Sequence, residues 1–294
     1  MRPELPFFSI IIPTCSRPVP LASCLESIAC LDYPHECFEV IVVDDGSNTP
    51  PLDVVASFRS RMNVKLLTQQ HAGPAAARNR GAASALGDFF VFTDDDCLPD
   101  RDWLRALAAQ FSATPEALVG GRTLNALAEN LYSATSQAII DVVYEHFNTD
   151  GGALFFASNN FAVPAVGFRK VGGFDEKFIT SEDREFCDRW VHQGYRMTYA
   201  PEVLNYHAHP LTLRTLWQQH FGYGRGAFCF HRARHLRYGA RISPDRKFYF
   251  KLLSNPSFTE SGRRRALALT ALVCWTQLAS SAGFAWEMIT RQRI

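Results

Sequence analysis

The sequence predicts an α/β fold followed by a helical, basic C-terminal extension. Three observations carry that expectation. Short β-branched and aromatic runs alternate with helical patterns over the first half of the 294 residues, as in a sheet with crossover helices. The run Phe38 to Val43 is apolar apart from Glu39 and unbroken from Val40 to Val43, which suits a parallel strand buried on both faces. Charge is also unevenly divided: residues 1–202 carry 16 basic and 26 acidic side chains, whereas 203–294 carry 14 and 3. The formal net charge of +1 therefore conceals an acidic region and a basic one.

The elements follow in order. Phe8 to Ile12 forms the first strand, expected to end at Pro13. Leu21, Leu25 and Ile28 recur at helical spacing, giving a helix that finishes before Tyr33-Pro34. The second strand, Phe38 to Val43, terminates in the turn Asp44-Asp45-Gly46-Ser47. A helix over 52–60, a strand from Val64 to Leu67 and an alanine-rich helix from Pro74 to Ala85 come next. The fourth strand, Asp88 to Thr93, stops at Asp94-Asp95-Asp96. Beyond it the pattern predicts a helix at 102–111, a strand near 117–123, a helix around 128–143 and a strand-like stretch from Ala153 to Val163. Arg184 to His192 reads as a helix preceded by Ser181-Glu182-Asp183, a favourable capping sequence.

Composition excludes several classes. With 47% hydrophobic and 20% charged residues the chain is not disordered. A sequence pI near 7.6 supplies no overall pull on phosphate, so no nucleic-acid partner is expected. The eight cysteines contain no CxxC pair, which points to reduced thiols in a cytosolic setting. Met1 to Pro6 lacks the features of a secretory signal. Neither GxGxxG nor GxxxxGK[ST] follows the first strand. The run Gly222-Tyr223-Gly224-Arg225-Gly226 lies in a helical pattern and reads as a coincidence.

In open α/β sheets ligands bind beyond the carboxyl ends of the parallel strands. The tips Pro13-Thr14 with Arg17, Asp44-Asp45-Gly46-Ser47, and Asp94-Asp95-Asp96 should therefore converge on one site. Three adjacent aspartates repel one another, and hard oxygen ligands of this kind suit Mg²⁺ or Mn²⁺. A solvated acidic loop capping the next helix at Asp100 or Asp102 is the plainer explanation.

Taken together, Ile10-Ile11-Ile12-Pro13-Thr14, Glu39 to Ser47, Ala77-Arg78-Asn79-Arg80-Gly81, Phe92 to Asp96, Val171 to Glu176 and Glu182-Asp183 resemble family 2 glycosyltransferases of the GT-A fold. The resemblance spans about residues 7–210 and implies one Rossmann-like domain on a mixed central sheet. It implies a catalytic domain over 1–212, with a nucleotide-binding half to about 125 and an acceptor half from 126, ahead of the extension at 213–294. Asp45 would bind the base or ribose of a nucleotide-diphospho-sugar, with Pro13 and Thr14 as floor; Arg17 and Asp44 belong to the same donor-binding tips. Arg78 would approach the nucleotide, although a surface arginine beside Arg80 is the alternative. Asp94 and Asp96 would form the metal-binding pair, Asp96 most directly, with Asp95 near ribose. His207 would complete the metal shell, with His209 two residues on as an alternative. Asp183 would act as general base and Glu182 would assist acceptor binding; capping of the helix is compatible with both. Asn160, Gly172, Gly173 and Phe174 would shape the acceptor side, while Gly172 to Phe174 also fits a helix-ending glycine followed by a core phenylalanine. Where many relatives carry glycine just before the asparagine, this chain has Ser158.

The activity implied is inverting transfer from a UDP-, dTDP- or GDP-sugar to a hydroxyl of a glycan or lipid-linked saccharide, in cell-envelope or polysaccharide assembly. A nucleotidyltransferase, or a catalytically silent nucleotide-sugar-binding or assembly subunit, are the competing readings. The extension interleaves basic and aromatic residues, and Ala266 to Trp286 carries no charge over 21 residues. An apolar helix over about 266–288 could lie on an anionic membrane surface, span it, or pack as an ordinary helix. The expected location is cytoplasmic, peripheral at the inner face of the cytoplasmic membrane.

Overall fold

The computed structural model describes residues 5–149, 152–241, 245–254 and 263–291. The chain divides into two compact units. The first comprises residues up to Leu124, Asp150–Ile179 and Asp183–Ala208; the second comprises Asn125–Thr149, Thr180–Glu182 and the remainder from His209.

The first unit is built on an eight-stranded mixed sheet. Its strands are β1 (Phe8–Thr14), β2 (Phe38–Asp45), β3 (Val64–Gln69), β4 (Phe89–Phe92), β5 (Cys97–Pro99), β6 (Leu118–Asn125), β9 (Phe161–Pro164) and β10 (Met197–His207); the short strands β7 (Asn148–Thr149) and β8 (Gly152–Ala153) lie between β6 and β9 in the chain. The order across the sheet is β3-β2-β1-β4-β9-β6-β10-β5. The first four named neighbours run parallel, whereas β9 is antiparallel to β4 and β10 antiparallel to β5. Every residue of β2 is buried, including Glu39, whose carboxylate accepts from Ser9 Oγ, Lys65 Nζ and the Leu86 amide.

Helices cover both faces. Leu21, Leu25 and Ile28 of α1 (Pro18–Ala29) and Trp103, Leu104, Leu107 and Phe111 of α4 (Trp103–Ala113) pack with Phe8, Ile10, Ile12, Val40 and Val42; Val55 and Phe58 of α2 (Leu52–Phe58) join the same cluster. On the other face lie α3 (Pro74–Ala83), α6 (Ala165–Val171) and α7 (Glu182–His192). There Phe92, Phe161, Phe168, Phe174 and Phe186 form a continuous aromatic cluster, with ring centroids 5.0–6.2 Å apart.

Several boundaries differ from the sequence pattern. Strand β1 runs through Pro13, because the ladder to β2 continues to the pair Thr14–Asp44. The stretch 153–163 is not one strand: a turn at Ala157–Asn159 interrupts it, and only Phe161–Pro164 joins the sheet. Asp102 precedes α4 without a side-chain cap bond. Ser181 lies at φ 66°, a left-handed conformation rather than the extended one of a side-chain cap.

The second unit is helical: α5 (Leu131–Phe147), α8 (Leu213–Tyr238), α9 (Arg246–Leu253) and α10 (Arg263–Arg291). Residues 125–149 group with these helices instead of with the catalytic domain expected to end at 212, because Ala138 and Val142 of α5 share an apolar cluster with Leu252, Leu269 and Val273. Asn130 caps α5, accepting from the Tyr132 and Ser133 amides at 3.0 Å. Thr212 and Thr215 close a reciprocal capping box on α8.

Candidate functional site

Parallel strands β1, β2 and β4 bring Thr14, Asp44-Asp45 and Thr93-Asp94-Asp95-Asp96 to one edge of the sheet. The β1–β4 register ends at Ile11–Phe92; three residues further along both chains, Thr14 Oγ1 donates to Asp95 Oδ2 at 2.7 Å. The repulsion among the three carboxylates is relieved one residue at a time. Asp94 pairs with Arg78 at 2.7 Å. Asp95 and Asp96 each accept one arm of the Arg17 guanidinium, both at 2.7 Å. Asp96 also faces His207, with Nε2 3.2 Å from its Oδ1.

The sheet explains that last approach. Strand β10 runs antiparallel to β5 with His207 opposite Cys97, so the histidine lands beside the residue just before Cys97, and the Ala208 amide donates to the Asp96 carbonyl at 2.8 Å. Asp96 Oδ1 is buried and makes no well-aligned hydrogen bond. A carboxylate oxygen and an imidazole nitrogen side by side, one without a hydrogen bond, fit a shared divalent cation. His209, the alternative ligand, belongs to the helical unit, where its carbonyl accepts from Ser133 Oγ at 2.6 Å.

Electrostatics sort these groups. Burial pushes the Asp95 carboxyl up to about 6, against Thr14 and Arg17, which favour its charged form. Burial opposes ionisation of Asp96 too, but His207 and Arg17 outweigh it and hold that carboxyl well below the usual range. For His207 burial favours the neutral ring, yet Asp96 prevails and raises its pKa.

Other expected residues take more structural positions. Asp45 is nearly saturated: it accepts from the amides of Ala72 and Gly73 at 2.8 and 2.9 Å and from Gln69 Nε2 at 2.8 Å. Burial works against its charge, but those bonds lower its pKa overall. Asp44 accepts from Ser47 Oγ, which in turn accepts the Ser16 amide, linking the β1 and β2 tips. Pro13 is partly exposed beside them. Arg78 is 3% exposed, so the surface-arginine alternative falls; its guanidinium lies over the Phe174 ring and pairs with Asp94.

The residues expected on the acceptor side are engaged within the fold. Asn160 is fully buried: it accepts from Trp103 Nε1 at 2.8 Å and donates to the carbonyls of Arg122 and Val203. Gly172 at φ 91° ends α6, and Phe174 is 2% exposed in the aromatic cluster. A Cβ on Gly173 would stand 2.6 Å from Asn79 Oδ1. Asn79 is the residue that sequence reasoning missed; its side chain accepts the Phe174 amide and donates to the Phe174 carbonyl, both at 2.9 Å. The signal was its place beside Arg78 on α3.

Asp183 sits in the first turn of α7, partly exposed, with Oδ1 accepting the Arg184 amide at 2.7 Å and Oδ2 the Ser158 amide at 3.3 Å. The Ser158 departure thus leaves the backbone donor intact. Burial raises the Asp183 pKa; the two amides and Arg78 act in the opposite direction. Glu182 is buried in the adjoining segment of the helical unit.

A family model described as "Glycosyl transferase family 2" matches residues 9–172, and these include the β1, β2 and Asp94–Asp96 tips. The chain belongs to glycosyl transferase family 2. It is 26% identical over 234 residues to the dolichyl N-acetyl-α-D-glucosaminyl phosphate 3-β-D-2,3-diacetamido-2,3-dideoxy-β-D-glucuronosyltransferase of Methanococcus voltae, covering 74% of this chain and 72% of that one. It is 28% identical over 235 residues to the glycosyltransferase AglE of Haloferax volcanii, covering 77% and 74%. Among solved structures it resembles the mannosyltransferase PcManGT from Pyrobaculum calidifontis in complex with GDP-Man and Mn²⁺, with a TM-score of 0.67, 21% identity and coverage of 97% and 88%. S. aureus TarS 1-349 in complex with UDP-GlcNAc matches with a TM-score of 0.56, 18% identity and coverage of 97% and 92%. The fold is GT-A with a helical C-terminal extension, and the chain is a glycosyltransferase. Membership sets aside the nucleotidyltransferase reading.

Proposed function

We propose that this glycosyltransferase moves a sugar from a UDP-, dTDP- or GDP-sugar to a hydroxyl of a glycan or lipid-linked saccharide, with inversion at the anomeric carbon. The observation that carries the proposal is Asp96 Oδ1 beside His207 Nε2 at 3.2 Å, where Asp96 follows the parallel strand β4 and His207 ends β10. A divalent cation, Mg²⁺ or Mn²⁺, held there would offset the charge of the departing diphosphate. Thr14, Asp45 and the partly open face of Arg17 border the donor position; Arg17 is 40% exposed while tied to Asp95 and Asp96. Asp183 takes the proton of the acceptor hydroxyl as it attacks from the opposite face. The two amides on its carboxylate fix its direction and leave capacity to accept a proton. Together, Asp96, His207 and Asp183 favour an active enzyme over a silent nucleotide-sugar-binding or assembly subunit.

Two relations support the substrate class: PcManGT was solved with GDP-Man and Mn²⁺, and the Methanococcus voltae relative is named for a dolichyl-linked sugar phosphate. The test is thermal stabilisation by a panel of UDP-, dTDP- and GDP-sugars with and without Mn²⁺. Stabilisation by one nucleotide class that requires Mn²⁺ is expected, and a melting temperature indifferent to every donor and metal would overturn the proposal.

For location, we infer attachment to an anionic membrane surface at the inner face of the cytoplasmic membrane. Arg264–Thr290 is long and apolar enough to cross a membrane, with a mean hydropathy of 1.3. Lying on the surface suits it better, because Glu287 is buried against Arg225 of α8 at 2.7 Å while Leu267, Leu278, Trp286 and Ile289 are exposed.

A further inference from the structure

The run Gly222-Tyr223-Gly224-Arg225-Gly226 lies inside α8. Glycine is unfavourable in a helix interior, so three in five residues call for a packing reason. Helical geometry separates them into two faces: Gly222 and Gly226 are about 40° apart around the axis, whereas Gly224 points about 160° from each.

Each face meets a different element of the helical unit. On one, Thr180 Oγ1 donates to the Gly222 carbonyl at 2.9 Å, and a Cβ on Gly226 would stand 2.4 Å from both Ser181 Oγ and Thr180 Oγ1 and 2.8 Å from the Thr180 carbonyl. On the other, a Cβ on Gly224 would lie 1.9 Å from the Ser280 carbonyl of α10. The approach is mutual, since a Cβ on Gly283 would lie 2.0 Å from the Phe221 carbonyl, and Ser280 Oγ donates to the His220 carbonyl at 3.2 Å. Ser181 meanwhile keeps φ 66°, a conformation that a non-glycine residue holds only where its surroundings enforce it. The next residues in the chain are Glu182 and Asp183.

We propose that this glycine run is a positioning device for the general base: α8 grips Thr180-Ser181 on one face, α10 braces the opposite face, and the grip fixes the chain two residues before Asp183. The inference rests on the reading of Asp183 as the base. Thr180 and Gly226 are positioning residues, and α10 contributes to turnover as well as to surface attachment. Loosening Thr180 frees the chain three residues before Asp183.

The test uses the full chain, with release of UDP from UDP-GlcNAc and of GDP from GDP-Man as readouts and with calorimetry for UDP, GDP and Mn²⁺. Thr180→Val removes the hydroxyl while keeping the branched shape, and Thr180→Ser keeps the hydroxyl. Thr180→Val is expected to lower kcat about 10- to 100-fold and to shift the acid limb of the pH profile, with nucleotide and Mn²⁺ affinities unchanged; Thr180→Ser restores both. Gly226→Ala is expected to act in the same direction, and Thr180→Val decides the matter should Gly226→Ala not fold. A Thr180→Val enzyme with wild-type kcat and acid limb, beside an inactive Asp183→Asn, overturns the positioning role alone. Full turnover in Asp183→Asn overturns the base assignment on which that role rests.

Discussion

The carboxylates of the Asp94-Asp95-Asp96 run divide between Arg78, which pairs with Asp94, and Arg17, which Asp95 and Asp96 share. Asp96, kept ionised by Arg17 and His207, is suited to a cation; Asp94 is committed to Arg78. Asp96→Asn is therefore expected to abolish Mn²⁺ binding measured by calorimetry on the metal alone, while Asp94→Asn retains it. Asp183 carries the opposite perturbation, a carboxyl raised by burial. A protonated base cannot accept a proton, so kcat should fall as pH drops through that raised pKa. The acid limb is expected above the ordinary 3.8, and removing the opposing charge by Arg78→Gln should move it further up. A limb at or below 3.8 would contradict the assignment. Residue types at strand tips were legible because turns and acids follow apolar runs. The fate of Asn160 was not: a polar side chain reads the same whether it faces a substrate or, as here, satisfies Trp103 and two carbonyls inside the core.

At the scale of elements, the motif Ala77-Arg78-Asn79-Arg80-Gly81 divides its contacts around α3. Arg78 meets Asp94, Asn79 holds the Gly173-Phe174 backbone, and Gly81 lets the helix approach β1, since a Cβ there would stand 2.5 Å from Ile11 Cγ2. Gly81→Ala is expected to cost about 1–3 kcal/mol in denaturant unfolding, with no change in nucleotide specificity. The parallel strands were readable from β-branched runs, and β2 most clearly, because burial on both faces leaves Val40 to Val43 without a polar position. The glycine run of α8 was not readable, because its spacing carries meaning only once the partners of both helix faces are known.

For the whole molecule, the charge division at about residue 202 corresponds to a real contrast, but not to the boundary of the units. Segment 125–149 joins the helical unit through Asn130, Ala138 and Val142, whose partners near Leu211, Leu252, Leu269 and Val273 are remote in sequence. Such long-range pairings leave no local periodic signal. Basic side chains and exposed Trp286, Leu278 and Ile289 on α10 make vesicle binding a direct check. Co-sedimentation with vesicles containing anionic phosphatidylglycerol should exceed that with neutral phosphatidylcholine and weaken with salt, whereas resistance to carbonate washing would show a spanning helix instead. The central assignment is that Asp183 acts as base beside a donor and metal held by the strand tips. It is tested most directly by comparing Asp183→Asn with wild type for kcat of nucleoside diphosphate release and for nucleotide affinity in Mn²⁺. The predicted result is a kcat lower by roughly 10²- to 10⁴-fold with affinity unchanged, and equal turnover in the two proteins would contradict it.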